Sequence, residues 1–274
     1  MATTTDAGSR RTASRRRDAS LRLERSILRE GHVLVGGLDE VGRGAWAGPM
    51  FVGVVLVDAS TKRVPAGTRD SKMLTGCARR ELSPLLAAWC VAWAIGEVSA
   101  AEIDEHGLTR SLGIAARRAL DVLPSPPTCL IVDGKSDFVT PRDGGSALPA
   151  CGSGMEVRPV VRADAKCGSV AAASVLAKVA RDDVMVGLAG QHPGYGFDQH
   201  KGYGTSEHAA AIAVHGLTGL HRRSWTFAER VAPHLGPDHA SLQGGLDATA
   251  DDALWSASVV RATRGHELDD GRIT

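Results

Sequence analysis

The sequence predicts an α/β fold in which a mixed five-stranded sheet is covered by helices. Three observations carry this. Two strongly apolar, β-branched runs follow one another across a glycine-rich turn; beyond them short apolar runs alternate with longer helical stretches; and the longest unbroken helical stretch is rich in alanine, whose small side chain lets a helix lie close against a sheet.

Taken in order, residues 21–29 place apolar side chains at Leu21, Leu23, Ile27 and Leu28, the spacing of a short helix leading into the domain. Residues 32–41 and 50–57 are the two apolar runs, separated by Gly42, Gly44, Gly48 and Pro49, and antiparallel pairing is the simplest way to join them. Residues 75–89 read as a helix, 91–98 as a third strand, and 100–123 as a helical stretch broken near Gly107. Pro124, Pro126 and Pro127 stop that stretch, because proline lacks the amide donor a helix needs. Residues 129–132 form a short buried strand ending at Asp133, and 155–161 another ending near Asp164. Residues 167–188 are helical, and 205–214 form a last helix with Thr205 as its N-cap.

The chain has 274 residues, 43% of them hydrophobic, enough for a domain of about 200 residues with tails. The expected division is a basic tail over 1–22, a folded domain over 23–232 and an acidic tail over 233–274. Residues 1–30 carry eight arginines against four acids among many Ser, Thr and Ala, whereas 235–274 carry seven acids against three arginines. Such polar, biased segments bury too little apolar surface to fold alone. The net charge of +1 does not announce a nucleic-acid partner; its uneven distribution is more informative. No run of about 18 apolar residues occurs, and the N-terminus lacks the apolar core of a secretory signal, so a cytoplasmic monomer without membrane contact is expected. Five cysteines, Cys77, Cys90, Cys129, Cys151 and Cys167, with no C-x-x-C pair, argue against both a disulfide framework and a thiolate zinc site.

Four acids sit where apolar strands end: Asp39, Glu40, Asp133 and Asp164. Ligands of open α/β sheets bind at strand ends, and ionised carboxylates are otherwise expelled from apolar surroundings. If the first, fourth and fifth strands are neighbours, the four converge. Two carboxylates about 4 Å apart repel by roughly 4 kcal/mol at an effective dielectric near 20, so such a cluster requires cations, and hard oxygen donors select Mg²⁺ or Mn²⁺ over zinc. Taken singly, each acid is a strand-end residue facing water. Asp39 and Glu40 are consecutive and would point to opposite faces of a regular strand, so one of them is expected where the strand begins to turn.

Gly42-Arg43-Gly44 follows directly. Glycines admit close backbone approach to a ligand, and Arg43 adds a guanidinium suited to phosphate; the plain alternative is a turn between strands. A dinucleotide loop is disfavoured by the spacing of Gly42, Gly44 and Gly48. Asp70-Ser71-Lys72 precedes a helix, so Ser71 and Lys72 are candidate phosphate donors, although the motif alone is also a cap. His192, His200, His208, His215 and His221 lie with Lys201 and the chain's two tyrosines, Tyr195 and Tyr203, among glycines. No pair has H-x-x-x-H spacing, which disfavours zinc and leaves an aromatic, cationic loop facing a sugar-phosphate chain.

Together these residues resemble ribonuclease HII over roughly 23–227: Asp39-Glu40-Val41-Gly42-Arg43-Gly44, Asp70-Ser71-Lys72, Val132-Asp133-Gly134, Asp164-Ala165-Lys166, Ala171-Ala172-Ala173-Ser174-Val175-Leu176-Ala177-Lys178, Tyr195-Gly196-Phe197 and His200-Lys201-Gly202-Tyr203-Gly204-Thr205. The resemblance implies an RNase H-like fold with a C-terminal helical part. It also implies that Asp39, Glu40, Asp133 and Asp164 are the catalytic, metal-holding quartet. It further implies that Gly42, Arg43 and Gly44 surround the ribose 2′-hydroxyl while Tyr203 packs against the next deoxyribose. Ala163 replaces a glycine common before the aspartate, and residues 140–154 form a longer glycine-rich connection, which affects loop geometry rather than chemistry.

The expected activity is two-metal hydrolysis of the RNA strand of RNA/DNA hybrids and nicking 5′ of single ribonucleotides in duplex DNA, with 3′-hydroxyl and 5′-phosphate products. Lys72, Lys166, Lys178 and Lys201 are candidates for backbone phosphates. The alternatives are a ribonuclease HIII-like or type 1-like enzyme that needs several ribonucleotides, and a non-catalytic hybrid-binding module. Some related enzymes dock on a sliding clamp through a C-terminal motif; the acidic tail here offers no convincing clamp-binding peptide.

Overall fold

The two apolar runs around the glycine turn become the central strands β1 (Val35–Val41) and β2 (Met50–Val57), paired antiparallel with Val35 opposite Val57 and Val41 opposite Phe51. A computed structural model of the chain describes residues 18–140 and 154–225, together with the backbone of Arg261–Thr263. In chain order the remaining elements are α1 (Arg22–Arg29), α2 (Gly76–Trp89), β3 (Ala92–Val98), α3 (Ala100–His106), α4 (Leu108–Asp121), β4 (Cys129–Asp133), β5 (Glu156–Val160), α5 (Gly168–Gln191), α6 (Phe197–His200), α7 (Ser206–His215) and β6 (Arg261–Thr263).

Local chemistry sets the boundaries. The Thr75 and Thr205 hydroxyls accept from the backbone amides of Ala78 and His208, capping α2 and α7. Ser99 and Glu102 form a reciprocal capping box at the start of α3. Gly107, at φ 73°, ends α3 and opens α4, accounting for the predicted break. The first strand is shorter than expected, and Val33, ahead of it, is exposed.

The sheet runs β5-β4-β1-β2-β3-β6, parallel across β5-β4-β1 and antiparallel across β1-β2-β3-β6. The five predicted strands form this mixed sheet. A three-residue sixth strand joins the β3 edge from the stretch read as the acidic tail. Residues 1–17, 141–153 and the rest of the acidic tail lie outside the described residues, as does any clamp-binding peptide within that tail. Among the described residues no helix is long and apolar enough to cross a membrane.

One face of the sheet packs on α1, α2 and α5, through Ile27, Leu86, Val170 and Ala173, and the other on α3 and α4, through Ile103, Ala115 and Ala119. Glycines in the strands fix the spacing. A Cβ at Gly37 would lie 2.4 Å from the Val170 amide nitrogen, one at Gly53 2.7 Å from the Ala173 carbonyl oxygen, and one at Gly96 2.0 Å from the Ala115 carbonyl oxygen. The alanine-rich helix therefore sits closer to β1 and β2 than any side chain on those strands would allow.

Both Asp39 and Glu40 remain within the β1 ladder, opposite Gly53 and Val52 of β2, so the expectation that one of them lies where the strand turns away does not hold. The strand continues because Val41 still pairs with Phe51.

Candidate active site

Strand topology brings the acids together. β1 and β4 are parallel neighbours whose last paired residues are Leu38 and Val132, so Asp39 and Asp133 stand next to each other at the same end of the sheet. The Asp133 carboxylate accepts a hydrogen bond from the Ala163 amide at 2.6 Å. That bond fastens the end of β4 to the short 3-10 turn Ala163–Ala165, which carries Asp164. The turn is entered through Arg162 at φ 58°, a left-handed conformation uncommon for any residue other than glycine.

Asp39 is 3% exposed and Asp164 6%. Burial pushes the Asp39 carboxyl well above the usual range; a Ser174 hydrogen bond opposes this, and the charges of Glu40 and Asp133 add to it. Asp164 is raised by burial and then by Asp133 and Asp70. Burial works against the Lys72 ammonium, but Asp39, Asp70, Asp164 and Glu40 outweigh it and raise its pKa. These couplings put the four acids and Lys72 in one electrostatic cluster. The Asp39 carboxylate also accepts from the Glu40 amide at 2.9 Å, while Glu40 pairs with the exposed Arg43 at 3.3 Å. Carboxylates crowded and desolvated in this way, with only one lysine among them, form a hard oxygen donor set suited to divalent cations.

The remaining predicted residues fall into two groups. Gly42 (φ 84°) and Gly44 lie in the turn after β1, which is clasped to the loop around Tyr203 by hydrogen bonds from the Trp46 and Ala47 amides to the Gly202 carbonyl, 2.8 and 3.1 Å. The Tyr203 ring lies under Lys178, 5.4 Å away, and Arg181, 5.3 Å away. Lys178 also pairs with Asp182 at 2.6 Å. Lys201 donates to the Asp198 carbonyl, and Lys166 to the Val161 carbonyl at 2.8 Å. Ser71 is buried, and its hydroxyl oxygen lies 2.8 Å from that of Ser174, a pair in which Ser71 donates so that the single Ser174 proton is left for Asp39. Asp70 acts as the cap of the 3-10 turn Ser71–Met73, accepting from the Lys72 amide.

Two sequence expectations change here. Tyr195 is not part of an exposed platform: it is buried, stacks on Phe197, and its hydroxyl donates to the carbonyls of His215 and Gly216. The histidine-rich segment is likewise mostly packing. His200 lies against His208 with ring centroids 4.4 Å apart, and His208 and His221 are fully enclosed.

Among the described residues, one group has metal-type donor atoms all within 4.8 Å of each other: His32, Cys129 and Glu156. Both Glu156 oxygens already accept from Arg158, at 2.6 and 2.8 Å, and burial pushes the Cys129 thiol up to about 11. A guanidinium beside a neutral thiol is a poor cation site.

Sequence reasoning missed three contributors. Ser174 bonds Asp39; its only signal was its place within the small-residue helix. Arg181 and Arg222 are each 0% exposed, and nothing in the pattern marked either as interior.

The family model described as Ribonuclease HII matches residues 36–228. A curated ribonuclease HII of Streptomyces avermitilis is 41% identical over 208 residues, covering 76% of this chain and 83% of that protein. One from Paracoccus denitrificans is 42% identical over 209 residues, covering 76% and 92%. Among solved structures, the ribonuclease H2 of Pyrococcus horikoshii OT3 superposes with a TM-score of 0.58 at 27% identity, covering 73% of this chain and 98% of that one. The RNase HII of Archaeoglobus fulgidus, solved as a PCNA:RNase HII complex, gives 0.54 at 25% identity, covering 71% and 96%. A Bst-RNase HIII solved with Mn²⁺ shares the fold, with a TM-score of 0.53 at 20% identity over 73% and 70%.

Proposed function

Because the chain belongs to the ribonuclease HII family, it is a metal-dependent type II ribonuclease H acting on RNA/DNA hybrids, and we propose that it also nicks duplex DNA 5′ of a single embedded ribonucleotide. The products are a 3′-hydroxyl and a 5′-phosphate, with the ribonucleotide left at the 5′ end of the downstream piece. The observation that carries this reading is the parallel β1/β4 pair ending side by side at Asp39 and Asp133, with Asp164 fastened to the same corner through the bond between Ala163 and Asp133.

Asp39, Glu40, Asp133 and Asp164 would hold two divalent ions, Mg²⁺ or Mn²⁺. When bound, such ions supply an activated water and stabilise the departing 3′-oxygen. The chain's own residues orient the substrate around that chemistry. Ser174 fixes the Asp39 carboxylate. Lys72, whose charge the acids strengthen, balances the cluster and meets an incoming phosphate. Gly42, Arg43 and Gly44 bring backbone close to the ribose, where the 2′-hydroxyl is the one group that differs between the two sugars. Tyr203, backed by Arg181 and Lys178, offers a flat face to the neighbouring deoxyribose. Ser71, Lys166, Lys178 and Lys201 complete the substrate-binding set. Each of them already has an internal partner and would have to exchange it for a phosphate, so Lys72 is the strongest cation of the group.

The role that follows is ribonucleotide removal from DNA, in repair and replication, by a cytoplasmic monomer whose catalytic domain spans residues 23–232, between a basic tail over 1–22 and an acidic tail over 233–274. The test is cleavage of an end-labelled duplex bearing one ribonucleotide, with and without divalent ion. A single nick on its 5′ side, only with ion, is the expected result. Cleavage that appears only with several consecutive ribonucleotides would place the enzyme with the HIII-like or type 1-like nucleases.

A further inference from the structure

The two buried arginines that sequence reasoning passed over meet at the turn after β1. Arg222 donates through Nη1 to the Arg43 carbonyl at 2.9 Å, and through Nη2 to the Gly42 carbonyl at 2.7 Å and the Gly48 carbonyl at 3.1 Å. Arg181 donates through Nε to the Pro49 carbonyl at 2.8 Å, through Nη2 to the Ala47 carbonyl at 3.3 Å and through Nη1 to the Lys201 carbonyl at 3.0 Å. Its guanidinium also lies over the Tyr203 ring. Gly42 fits against it closely: a Cβ there would lie 2.2 Å from Arg181 Nε.

Among the described residues neither guanidinium is in a salt bridge, and Arg222 Nε has no hydrogen-bond partner. Enclosing a cation whose partners are mainly carbonyls is expensive, and apolar side chains of similar volume would fill the space at less cost. What two forks provide, and apolar groups do not, is direction for backbone groups. Across a planar trans peptide the C=O and the following N–H point opposite ways. With the Gly42 and Arg43 carbonyls turned inward onto Arg222, the amides of Arg43 and Gly44 are turned the other way, outward from the turn. Arg181 ties that same turn to Lys201 and backs the Tyr203 ring, so the two surfaces are held at one fixed separation.

We propose that Arg181 and Arg222 are positioning residues that set the enzyme's discrimination between ribose and deoxyribose. They act through the amides of Arg43 and Gly44 and through Tyr203, without touching the nucleic acid themselves. This rests on the reading of that turn as the part that meets the ribonucleotide.

Arg222→Lys and Arg181→Lys keep a cation and lose the fork, which makes them the informative changes. The readout is the ratio of affinities for a duplex with one ribonucleotide and the same duplex made wholly of DNA, measured by fluorescence anisotropy on the full chain without divalent ion, so that nothing is cut. Any loss of folded protein scales both affinities and cancels in the ratio. Each variant is expected to lower the ratio roughly tenfold, the scale of one directed hydrogen bond. A ratio equal to wild type in both variants would overturn the positioning role and leave the arginines as packing. Wild-type protein that shows no preference between the two duplexes would instead overturn the underlying reading of the turn, and the positioning role with it.

Discussion

His208 Nε2 lies 3.1 Å from His221 Nε2, and the partners on either side determine which nitrogen carries each proton. His208 Nδ1 faces the Tyr203 carbonyl at 3.0 Å, which can only accept, so Nδ1 is protonated and Nε2 is bare. His221 Nδ1 accepts from the Thr218 amide at 3.0 Å, leaving its Nε2–H to donate to His208. Two neutral imidazoles satisfy this chain, and a proton added to either ring puts two donors face to face. Burial is the main cause that holds His208 down to about 4 and His221 down to about 3, with the charge of His200 adding to it for His208 and that of His208 for His221. Folded-state values below the ordinary 6.5 mean that the unfolded chain takes up protons first. Stability is therefore intact above pH 6.5 and falls as pH drops toward 4, by about 1.4 kcal/mol per pH unit per histidine. His221→Gln, which keeps a donor toward His208, should flatten the decline of thermal midpoint between pH 6.5 and 4. A slope identical to wild type would show that the pair does not govern acid stability.

Two glycines separate packing from ligand space. At Gly37 a Cβ would meet the backbone of α5 at Val170, so Gly37→Ala must push helix from sheet and should cost about 3 kcal/mol, lowering the thermal midpoint by roughly 10 °C. At Gly44 a Cβ would meet nothing within 4 Å and φ is not in the left-handed region. Gly44→Ala should leave the melting curve in place yet reduce cleavage at a single ribonucleotide by about tenfold or more, because the methyl occupies the approach to the sugar. Full activity in a normally folded Gly44→Ala variant would separate this turn from substrate.

Much of this was legible in the sequence because it was local. Thr75, Thr205 and Gly107 mark helix ends through their own side chains or φ, and Met50–Val57 is bounded by the glycines that turn it. The four acids could be read because an acid at the end of an apolar run is conspicuous before any contact is known. What could not be read depends on pairs distant in sequence. Ser174 reaches Asp39 only because α5 crosses β1, and Arg222 reaches Gly42 across 180 residues. An enclosed arginine looks like a surface residue until the carbonyls around it are located. Tyr195 misled for the converse reason: in sequence it shares every cue with Tyr203, and only packing against Phe197 makes it interior. The sixth strand could not be read from three residues, Arg261–Thr263, within a charged tail.

Lys72 stands among the acids as an internal counter-charge, and its removal should act in opposite directions on the two ligands. Lys72→Ala raises the negative potential of the cluster, so divalent ion should bind a few-fold more tightly in isothermal titration at low ionic strength. Duplex binding should weaken, and the slope of log affinity against log salt should fall by about 0.9, the signature of one lost phosphate contact. An unchanged salt slope would assign Lys72 to charge balance within the cluster alone.

Asp39→Asn tests the cluster from its most enclosed member. The amide keeps the shape and retains a partner for Ser174, while removing a charge that burial and the neighbouring Glu40 and Asp133 disfavour. A carboxyl raised above its ordinary 3.8 in the fold destabilises the folded state as pH climbs from that value through its folded-state pKa. At neutral pH and in chelator, the variant should therefore melt about 3 to 6 °C above wild type, with the difference shrinking as pH falls toward 4 and gone below it. Adding Mg²⁺ should raise the wild-type midpoint and close the gap, since cation binding relieves the same repulsion and the asparagine form has lost a donor. Cleavage should be abolished while binding to an RNA/DNA hybrid persists. Normal turnover by the variant would remove Asp39 from the chemistry, and a lower melting point in chelator would mean that its carboxylate is stabilised by the fold rather than strained within it.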